Sequence, residues 1–83
     1  MKKWYVYMLQ CRDGSLYTGI AVDVQKRLLQ HLTGKGSRYV RSRLPATLVY
    51  KEKAKDRSSA SKREAEIKSW EKIKKLQLLR RKS

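Results

Sequence analysis

The sequence predicts a small α+β domain in which a three-stranded antiparallel sheet is flanked by helices, in the order β-β-α-(short α)-β-α. Three observations predict this fold. Residues 3 to 11 and 15 to 21 are rich in tyrosine, valine, leucine and isoleucine and flank a polar turn, which is the pattern of a β-hairpin. A segment with apolar residues at four-residue spacing follows the hairpin. A third β-like run then precedes a long helical segment, and the 83 residues suffice for one domain, residues 1 to 83.

The loop of the hairpin determines which side chains share a face of the sheet. A two-residue turn would place Tyr7 and Tyr17 on opposite faces, because side chains alternate along a strand. A three-residue loop that ends at a left-handed Gly14 instead pairs Leu9 with Tyr17. We expect the three-residue loop, since only this register brings the two tyrosines together.

The first helix is expected over residues 23 to 33. Asp23 is its N-cap, and three apolar residues recur on one side at four-residue spacing: Val24, Leu28 and Leu32. Arg27 and His31 are also four residues apart, so they are neighbours on one helix face. We expect this face to look toward the hairpin and to bring a cation and an imidazole to the tyrosines.

The second half of the chain contains three further elements. A short basic helix is expected near residues 38 to 43 and a third strand over residues 46 to 53. Ser58 or Ser59 is expected to cap a long helix. The apolar side of this helix consists of Ala60, Ile67 and Trp70. The apolar pattern shifts after this stripe, which predicts a bend, and residues 72 to 83 are predicted to be a basic, partly helical C-terminal tail.

The charge of the chain indicates a polyanionic partner. Lysine and arginine number 22 against seven acidic residues, which gives a formal charge of +15. We expect nucleic acid, with DNA favoured over RNA, because the chain lacks the long apolar stretch and the aromatic amphipathic helix typical of membrane proteins. The single Cys11 and the absence of a signal-peptide pattern predict a cytoplasmic location. We also expect a monomer.

Glu64 has two interpretations that the sequence leaves open. At about 100° per residue, its side chain lies on the same side of the helix as Ala60 and Ile67, so it can project toward the sheet. It also completes a capping box that begins at Ser61, in which the carboxylate would only cap the helix. Spacing alone does not choose between the two, and Glu71 also falls on the side of the stripe.

Two triplets in the hairpin, an arginine in the first helix and a later glutamate form one recognisable pattern: Tyr5-Val6-Tyr7, Tyr17-Thr18-Gly19, Arg27 and Glu64. This pattern resembles the GIY-YIG nuclease superfamily, and the chain looks like the small stand-alone bacterial branch of it. Three departures are visible. Tyr5 stands in place of glycine, Thr18 in place of isoleucine, and Ile20 where some members carry a lysine.

The resemblance implies metal-dependent, endonuclease-type hydrolysis of phosphodiester bonds in nucleic acid, in a repair or recombination context. It implies that Tyr17 is the base, that Arg27 balances developing charge and that Glu64 holds one Mg²⁺ or Mn²⁺ ion, weakly bound without substrate. Tyr7 and His31 would orient the water or bind phosphate. His31 remains open as the alternative base, because an ordinary histidine pKa of about 6.5 suits neutral pH better than a tyrosine pKa of about 10. A phenol base predicts activity that rises toward alkaline pH.

The competing interpretation is a basic DNA- or RNA-binding module without chemistry, including an accessory protein of an RNA complex. Four cations and an aromatic residue follow the first helix, a mixture suited to phosphate contacts and base stacking. These predicted nucleic-acid-binding residues are Lys35, Arg38, Tyr39, Arg41 and Arg43. Both interpretations predict binding that weakens steeply with salt, so only a metal-dependent nicking assay separates them.

Overall fold

A computed structural model describes residues 3 to 82 and confirms the predicted fold. Seven elements follow one another along the chain: β1 (Trp4–Cys11), β2 (Leu16–Ala21), α1 (Val24–Leu32), α2 (Arg38–Arg41), β3 (Ala46–Ala54), α3 (Arg57–Lys68) and α4 (Lys72–Lys82). The tail predicted from about residue 72 forms α4, and its last residue, Ser83, lies outside the described residues, as do Met1 and Lys2. No helix among residues 3 to 82 is long and apolar enough to cross a membrane.

The sheet has the order β2-β1-β3, and both strand pairs are antiparallel. The hairpin register pairs Leu9 with Tyr17, as the three-residue loop requires. Gly14 has a φ of 85°, and its amide donates to the carbonyl of Cys11 at 2.9 Å. This conformation favours glycine because a β-carbon there would crowd the backbone. The predicted loop is therefore confirmed, and β2 is left as an edge strand.

Helices cover both faces of the sheet. On one face, Tyr7 and Leu9 pack with Val24 of α1 and Val40 of α2. The other face packs against α3 and α4. The strands contribute Val6, Met8 and Tyr50, α3 contributes Ala60 and Ile67, and α4 adds the partly buried Leu78 and Leu79. Because β1 is covered on both sides, consecutive residues from Val6 to Leu9 are all buried.

The helix boundaries agree with the sequence except at one cap. Asp23 caps α1, and its carboxylate accepts the Lys26 amide at 3.0 Å. The prediction that Ser58 or Ser59 caps the long helix is wrong, because α3 begins earlier and Asp56 accepts the Ser59 amide at 2.8 Å. The predicted bend is confirmed, since α3 ends at Lys68 and α4 begins at Lys72.

Candidate active site

Tyr7, Tyr17 and His31 form an aromatic cluster on the face of the sheet covered by α1. The register places Gly19 opposite Tyr7, so the two tyrosines are diagonal neighbours on one face. Their ring centroids are 6.4 Å apart, and the His31 ring lies 5.2 Å from that of Tyr17. The predicted convergence of the hairpin tyrosines with the helix histidine is what the structure shows.

Two glycines make this close packing possible. A β-carbon at Gly19 would lie 2.6 Å from the Tyr7 hydroxyl oxygen and 3.1 Å from the Tyr17 ring. A β-carbon at Gly36 would lie 2.8 Å from two carbons of the His31 ring and still nearer to its Nδ1. These separations are below van der Waals contact, so a side chain at either position would displace the cluster.

His31 is buried, and each of its two ring nitrogens forms a hydrogen bond inside the protein. Its side chain is 1% exposed, Nε2 is 2.9 Å from the Tyr7 hydroxyl, and Nδ1 accepts the Ser37 amide at 3.4 Å. A neutral imidazole whose Nδ1 accepts carries its proton on Nε2, so Nε2 donates to the Tyr7 oxygen. Burial, followed by the charge of Arg27, lowers the pKa of His31, so the ring is neutral at neutral pH.

The burial of His31 corrects the predicted apolar stripe of α1. Val24 is buried and Leu28 is partly buried, but Leu32 is 43% exposed. The inward side of the last turn is therefore centred on His31. Its imidazole can be buried because Tyr7 satisfies it, whereas Leu32 at the helix end stays exposed.

The pKa of the Tyr7 hydroxyl depends on its burial and on the charged groups around the cluster. Burial raises the pKa of Tyr7 to about 12, and the neighbouring Tyr17 adds to this rise. Hydrogen bonding to the Arg27 guanidinium and its charge act in the opposite direction, while the Glu64 carboxylate raises the pKa of Tyr7 further. A guanidinium from α1 and a carboxylate from α3 thus act on the same phenol, although they come from opposite sides of the sheet.

Glu64 projects from the middle of α3, so its interpretation as a capping-box residue is wrong. Its side chain is 23% exposed, and its Oε2 is 3.4 Å from the Lys68 ammonium one turn later. Lys68 also lies 6.0 Å from the centre of the Tyr17 ring. The Lys68 side chain therefore connects the carboxylate on α3 with the tyrosine on β2.

The Glu64 carboxylate could supply one oxygen ligand to a divalent metal ion. Among residues 3 to 82, no group of three or more histidine, cysteine, aspartate or glutamate side chains converges to hold a metal. Mg²⁺ and Mn²⁺ prefer about six oxygen ligands, and such ions are commonly held by one or two carboxylates together with substrate oxygens and water. A single ion bound jointly by Glu64 and a substrate fits these residues, whereas a closed protein cage does not.

The predicted nucleic-acid-binding residues fall into two groups. Arg43 is engaged within the protein, since it pairs with Asp13 at 3.1 Å and its guanidinium lies 3.9 Å from the centre of the Tyr39 ring. Tyr39 in turn stacks on Tyr17 with 6.1 Å between centroids. The remaining members of the set carry exposed side chains: Lys35, Arg38 and Arg41.

The sequence matches the GIY-YIG catalytic domain over residues 3–77. This chain belongs to the GIY-YIG family. It is 48% identical over 79 residues to a UPF0213 protein of Staphylococcus saprophyticus, with 95% of this chain and 96% of that protein covered. The fold is similar to the solution NMR structure of the UPF0213 protein from Bacillus halodurans, with a TM-score of 0.60 and 42% identity over 93% of this chain and 82% of that chain. It is also similar to the solution NMR structure of a protein from E. faecalis, with a TM-score of 0.66 and 36% identity over 96% of this chain and 85% of that chain.

Membership of the GIY-YIG family supports a nuclease-type function in general. Within this GIY-YIG domain, sequence reasoning missed two lysines that border the site, Lys68 of α3 and Lys75 of α4. A signal for Lys68 was available, because it follows Glu64 by four residues and shares its helix face. Lys75 had no such signal, since its position depends on how α4 folds back against the sheet.

Proposed function

We propose that this GIY-YIG protein hydrolyses phosphodiester bonds in nucleic acid, DNA rather than RNA, in a reaction that needs Mg²⁺ or Mn²⁺, and that it serves repair or recombination. The observation that carries the proposal is the set of groups around Tyr17. Its ring centroid is 6.4 Å from that of Tyr7, and the Lys68 ammonium, which pairs with Glu64 at 3.4 Å, lies 6.0 Å from the Tyr17 ring centre. The charge of Arg27 also acts on the Tyr7 hydroxyl. A phenol, a guanidinium and a carboxylate can serve as base, charge stabiliser and metal ligand in phosphodiester hydrolysis.

Tyr17 is the proposed base because the other two candidates are occupied. Tyr7 has its pKa raised to about 12, so it stays protonated and can only orient its neighbours. His31 uses its Nε2 proton toward Tyr7, and its bare Nδ1 faces the Ser37 amide inside the protein. Tyr17 is only partly buried and borders an open cavity, where a water molecule can reach it. General base catalysis requires this access.

The charges around Tyr17 suit a reaction at a phosphate. The Arg27 guanidinium, also bonded to Gln30 at 2.9 Å, is proposed to stabilise negative charge as it develops on the phosphate oxygens. Glu64 would hold the divalent ion, which when bound supplies further positive charge to the scissile phosphate. The Lys68 ammonium, 3.4 Å from Glu64 Oε2, is proposed to hold the carboxylate in its position beside the site.

The test is a nicking assay with purified protein. Single-stranded, duplex, nicked and branched DNA and their RNA counterparts are incubated with Mn²⁺ or with a chelator. Cleavage is expected only with the metal. Tyr17→Phe is expected to lower the rate by about 10²- to 10⁴-fold, the usual range for a general base, and Glu64→Gln is expected to abolish cleavage while binding remains.

Two matched variants control for nonspecific effects of these substitutions. Tyr5→Phe removes a hydroxyl from the same sheet, and Glu66→Gln removes a carboxylate from an exposed position of α3. Both are expected to cleave at the rate of the unsubstituted protein. Unchanged cleavage by Glu64→Gln would end its assignment as the metal ligand, and the absence of metal-dependent cleavage on every substrate would reject the hydrolytic proposal.

The second candidate function is nucleic-acid binding without cleavage. It is favoured by the exposed side chains of Lys35, Arg38 and Arg41, which are available for phosphate contacts on a protein of formal charge +15. Binding that persists in every variant, together with no nicking of any substrate, is the result that would select it.

A further inference from the structure

A cavity of about 420 Å³ opens at the outer edge of β2, next to the cluster described above. Its lining combines strand, helix and aromatic side chains: Leu16, Tyr17, Thr18, Tyr39, Lys68 and Lys75. α4 also extends toward the hairpin loop, since the Lys72 ammonium lies 3.8 Å from where a β-carbon of Gly14 would be. The cavity volume lies in the range of about 300–1,000 Å³ that is usual for sites binding small molecules.

The chemistry of this lining suits one nucleotide. Arg43 covers one side of the Tyr39 ring, and the ring centroids of Tyr39 and Tyr17 are 6.1 Å apart, so the apolar surface open to a base is the exposed part of Tyr39, which is 38% exposed, beside Tyr17. The ammonium groups of Lys68 and Lys75 offer positive charge for a phosphate. Thr18 adds a buried hydroxyl that has no hydrogen-bond partner within the described part of the chain.

The Tyr39 ring is held in place for such a contact. The Arg43 guanidinium lies against the ring and also donates to the Tyr39 carbonyl at 3.1 Å. Asp13 fixes Arg43 from the hairpin loop. A ring that is already ordered loses little conformational entropy when a base stacks on it, so this arrangement favours binding.

We propose that the cavity binds one unpaired nucleotide adjoining the scissile phosphate, with its base against Tyr39 and Tyr17 and a phosphate at Lys68 and Lys75. The position relative to the scissile phosphate rests on the hydrolytic function proposed above. In a duplex both faces of a base are covered by neighbouring base pairs, so only an unpaired or flipped-out base can stack on these rings. The substrate class is therefore nucleic acid with an unpaired nucleotide beside the cleaved bond.

The test measures binding in a chelator, where metal-dependent cleavage does not interfere. Two fluorescent DNA duplexes of the same sequence are compared by anisotropy, one fully paired and one with a single-nucleotide bulge. The bulged duplex is expected to bind about 5- to 150-fold more tightly, which corresponds to the 1–3 kcal/mol that base stacking on an aromatic side chain typically contributes. Tyr39→Ala is expected to remove this preference, because it weakens binding of the bulged duplex more than binding of the paired duplex, whereas Tyr39→Phe retains it.

Lysine variants provide a second and independent measurement. Lys75→Gln is expected to reduce the preference for the bulged duplex and to lower the slope of log affinity against log salt for that duplex by about 1. Lys53→Gln, which removes an exposed cation from β3 at the opposite edge of the sheet, is expected to leave the preference intact. If Tyr39→Ala fails to fold, as judged by circular dichroism, Lys75→Gln decides the question.

The outcomes for the cavity and for hydrolysis are distinct. Equal affinity of the unsubstituted protein for both duplexes, or a preference that survives Tyr39→Ala and Lys75→Gln, would overturn the nucleotide site. A preference for the bulge without any cleavage in Mn²⁺ would retain the site and reject hydrolysis. Cleavage in Mn²⁺ without a preference for the bulge would support hydrolysis and reject the nucleotide site.

Discussion

Replacing Tyr7 with phenylalanine tests whether the buried hydrogen bond to His31 holds the site together. The substitution removes one oxygen atom and keeps the ring, so the packing of Tyr7 against the sheet is preserved. The lost oxygen is the partner of His31 Nε2 at 2.9 Å, and both side chains are about 1% exposed. The imidazole N–H would then be buried without a partner.

The size of the effect follows from this burial. A typical hydrogen bond contributes only about 1 kcal/mol net, but a buried polar group left without its partner costs about 1–3 kcal/mol. Water cannot easily compensate, because Gly36 and Ser37 close over the other side of the His31 ring. We expect Tyr7→Phe to lower the free energy of unfolding by about 1–3 kcal/mol. In a domain of 60 to 100 residues this corresponds to a melting temperature lower by about 4–8 °C per kcal/mol.

The assay is equilibrium unfolding in urea, with the melting temperature as a second measurement. Tyr39→Phe is the matched control, because the same oxygen is removed from an exposed ring, and a change within about 0.5 kcal/mol is expected. A double-mutant cycle with His31→Leu isolates the pair. Once both polar groups are gone, no unpaired donor remains, so the double variant should lose less than the sum of the two single variants.

Two results would refute this reasoning. If Tyr7→Phe unfolds at the same urea concentration as the unsubstituted protein, the hydroxyl does not satisfy a buried imidazole. If the Tyr7 and His31 substitutions are additive, the two side chains contribute separately, and the bond between them does not stabilise the fold.

Three further predictions concern stability at the same site. The pKa of His31 is lowered below its ordinary value of about 6.5. The neutral imidazole therefore makes its full contribution to the free energy of unfolding above that pH. This contribution is lost as the pH falls toward the folded-state pKa, by no more than about 1.4 kcal/mol per pH unit. Urea unfolding at several pH values between 5 and 7 should show this decrease in the free energy of unfolding, and His31→Gln should abolish the decrease. Because His31 is the single histidine, the same slope of this free energy against pH in His31→Gln would contradict the assignment. Gly36→Ala places a β-carbon against the His31 ring and should cost about 1–3 kcal/mol in the same assay, whereas full stability would mean that the loop can move aside. Thr18→Val replaces a buried hydroxyl that lacks a partner among residues 3 to 82, so stability should rise by about 1 kcal/mol, and a decrease would show that the hydroxyl is satisfied.

The parts of the fold that local sequence determines were predicted correctly. The length of the hairpin loop set the register that pairs Leu9 with Tyr17, because Gly14 can adopt the left-handed conformation and the strands then alternate from that point. Asp23 was identified as a cap because its carboxylate reaches the Lys26 amide three residues later. Both features depend on residues close together in the sequence.

The errors have a common physical origin. Leu32 was assigned to the buried stripe because apolar periodicity favours it, but the inward position belongs to His31, whose hydrogen-bond partner lies 24 residues away. The cap of α3 was placed at Ser58 or Ser59 because the segment offers several capping side chains, and Asp56 is the one that is used. In both cases the local sequence allows two nearly equal arrangements. A tertiary contact selects the buried residue of α1, and the position at which the chain leaves β3 selects the cap of α3.

Arg43 has contacts inside the protein that charge patterning did not predict. Its guanidinium pairs with Asp13 and lies against the Tyr39 ring. Charge patterning cannot distinguish a cation that binds a partner from a cation that positions an aromatic ring. Removal of Arg43 should therefore disturb Tyr39, and its contact with nucleic acid stays a prediction.

The candidate site is therefore built from a rigid floor and an accessible rim, and this division makes its parts separable by experiment. The floor consists of Tyr7 and His31, which are buried and hydrogen-bonded to each other, so their substitution should change the free energy of unfolding first. The rim consists of Tyr39, Lys68 and Lys75, which border the open cavity, so their substitution should change affinity first. Tyr17 belongs to both, because its ring centroid lies 5.2 Å from that of His31 and 6.1 Å from that of Tyr39. A hydroxyl deletion at Tyr17 that stops cleavage without altering stability or DNA affinity would be explained only by a chemical role.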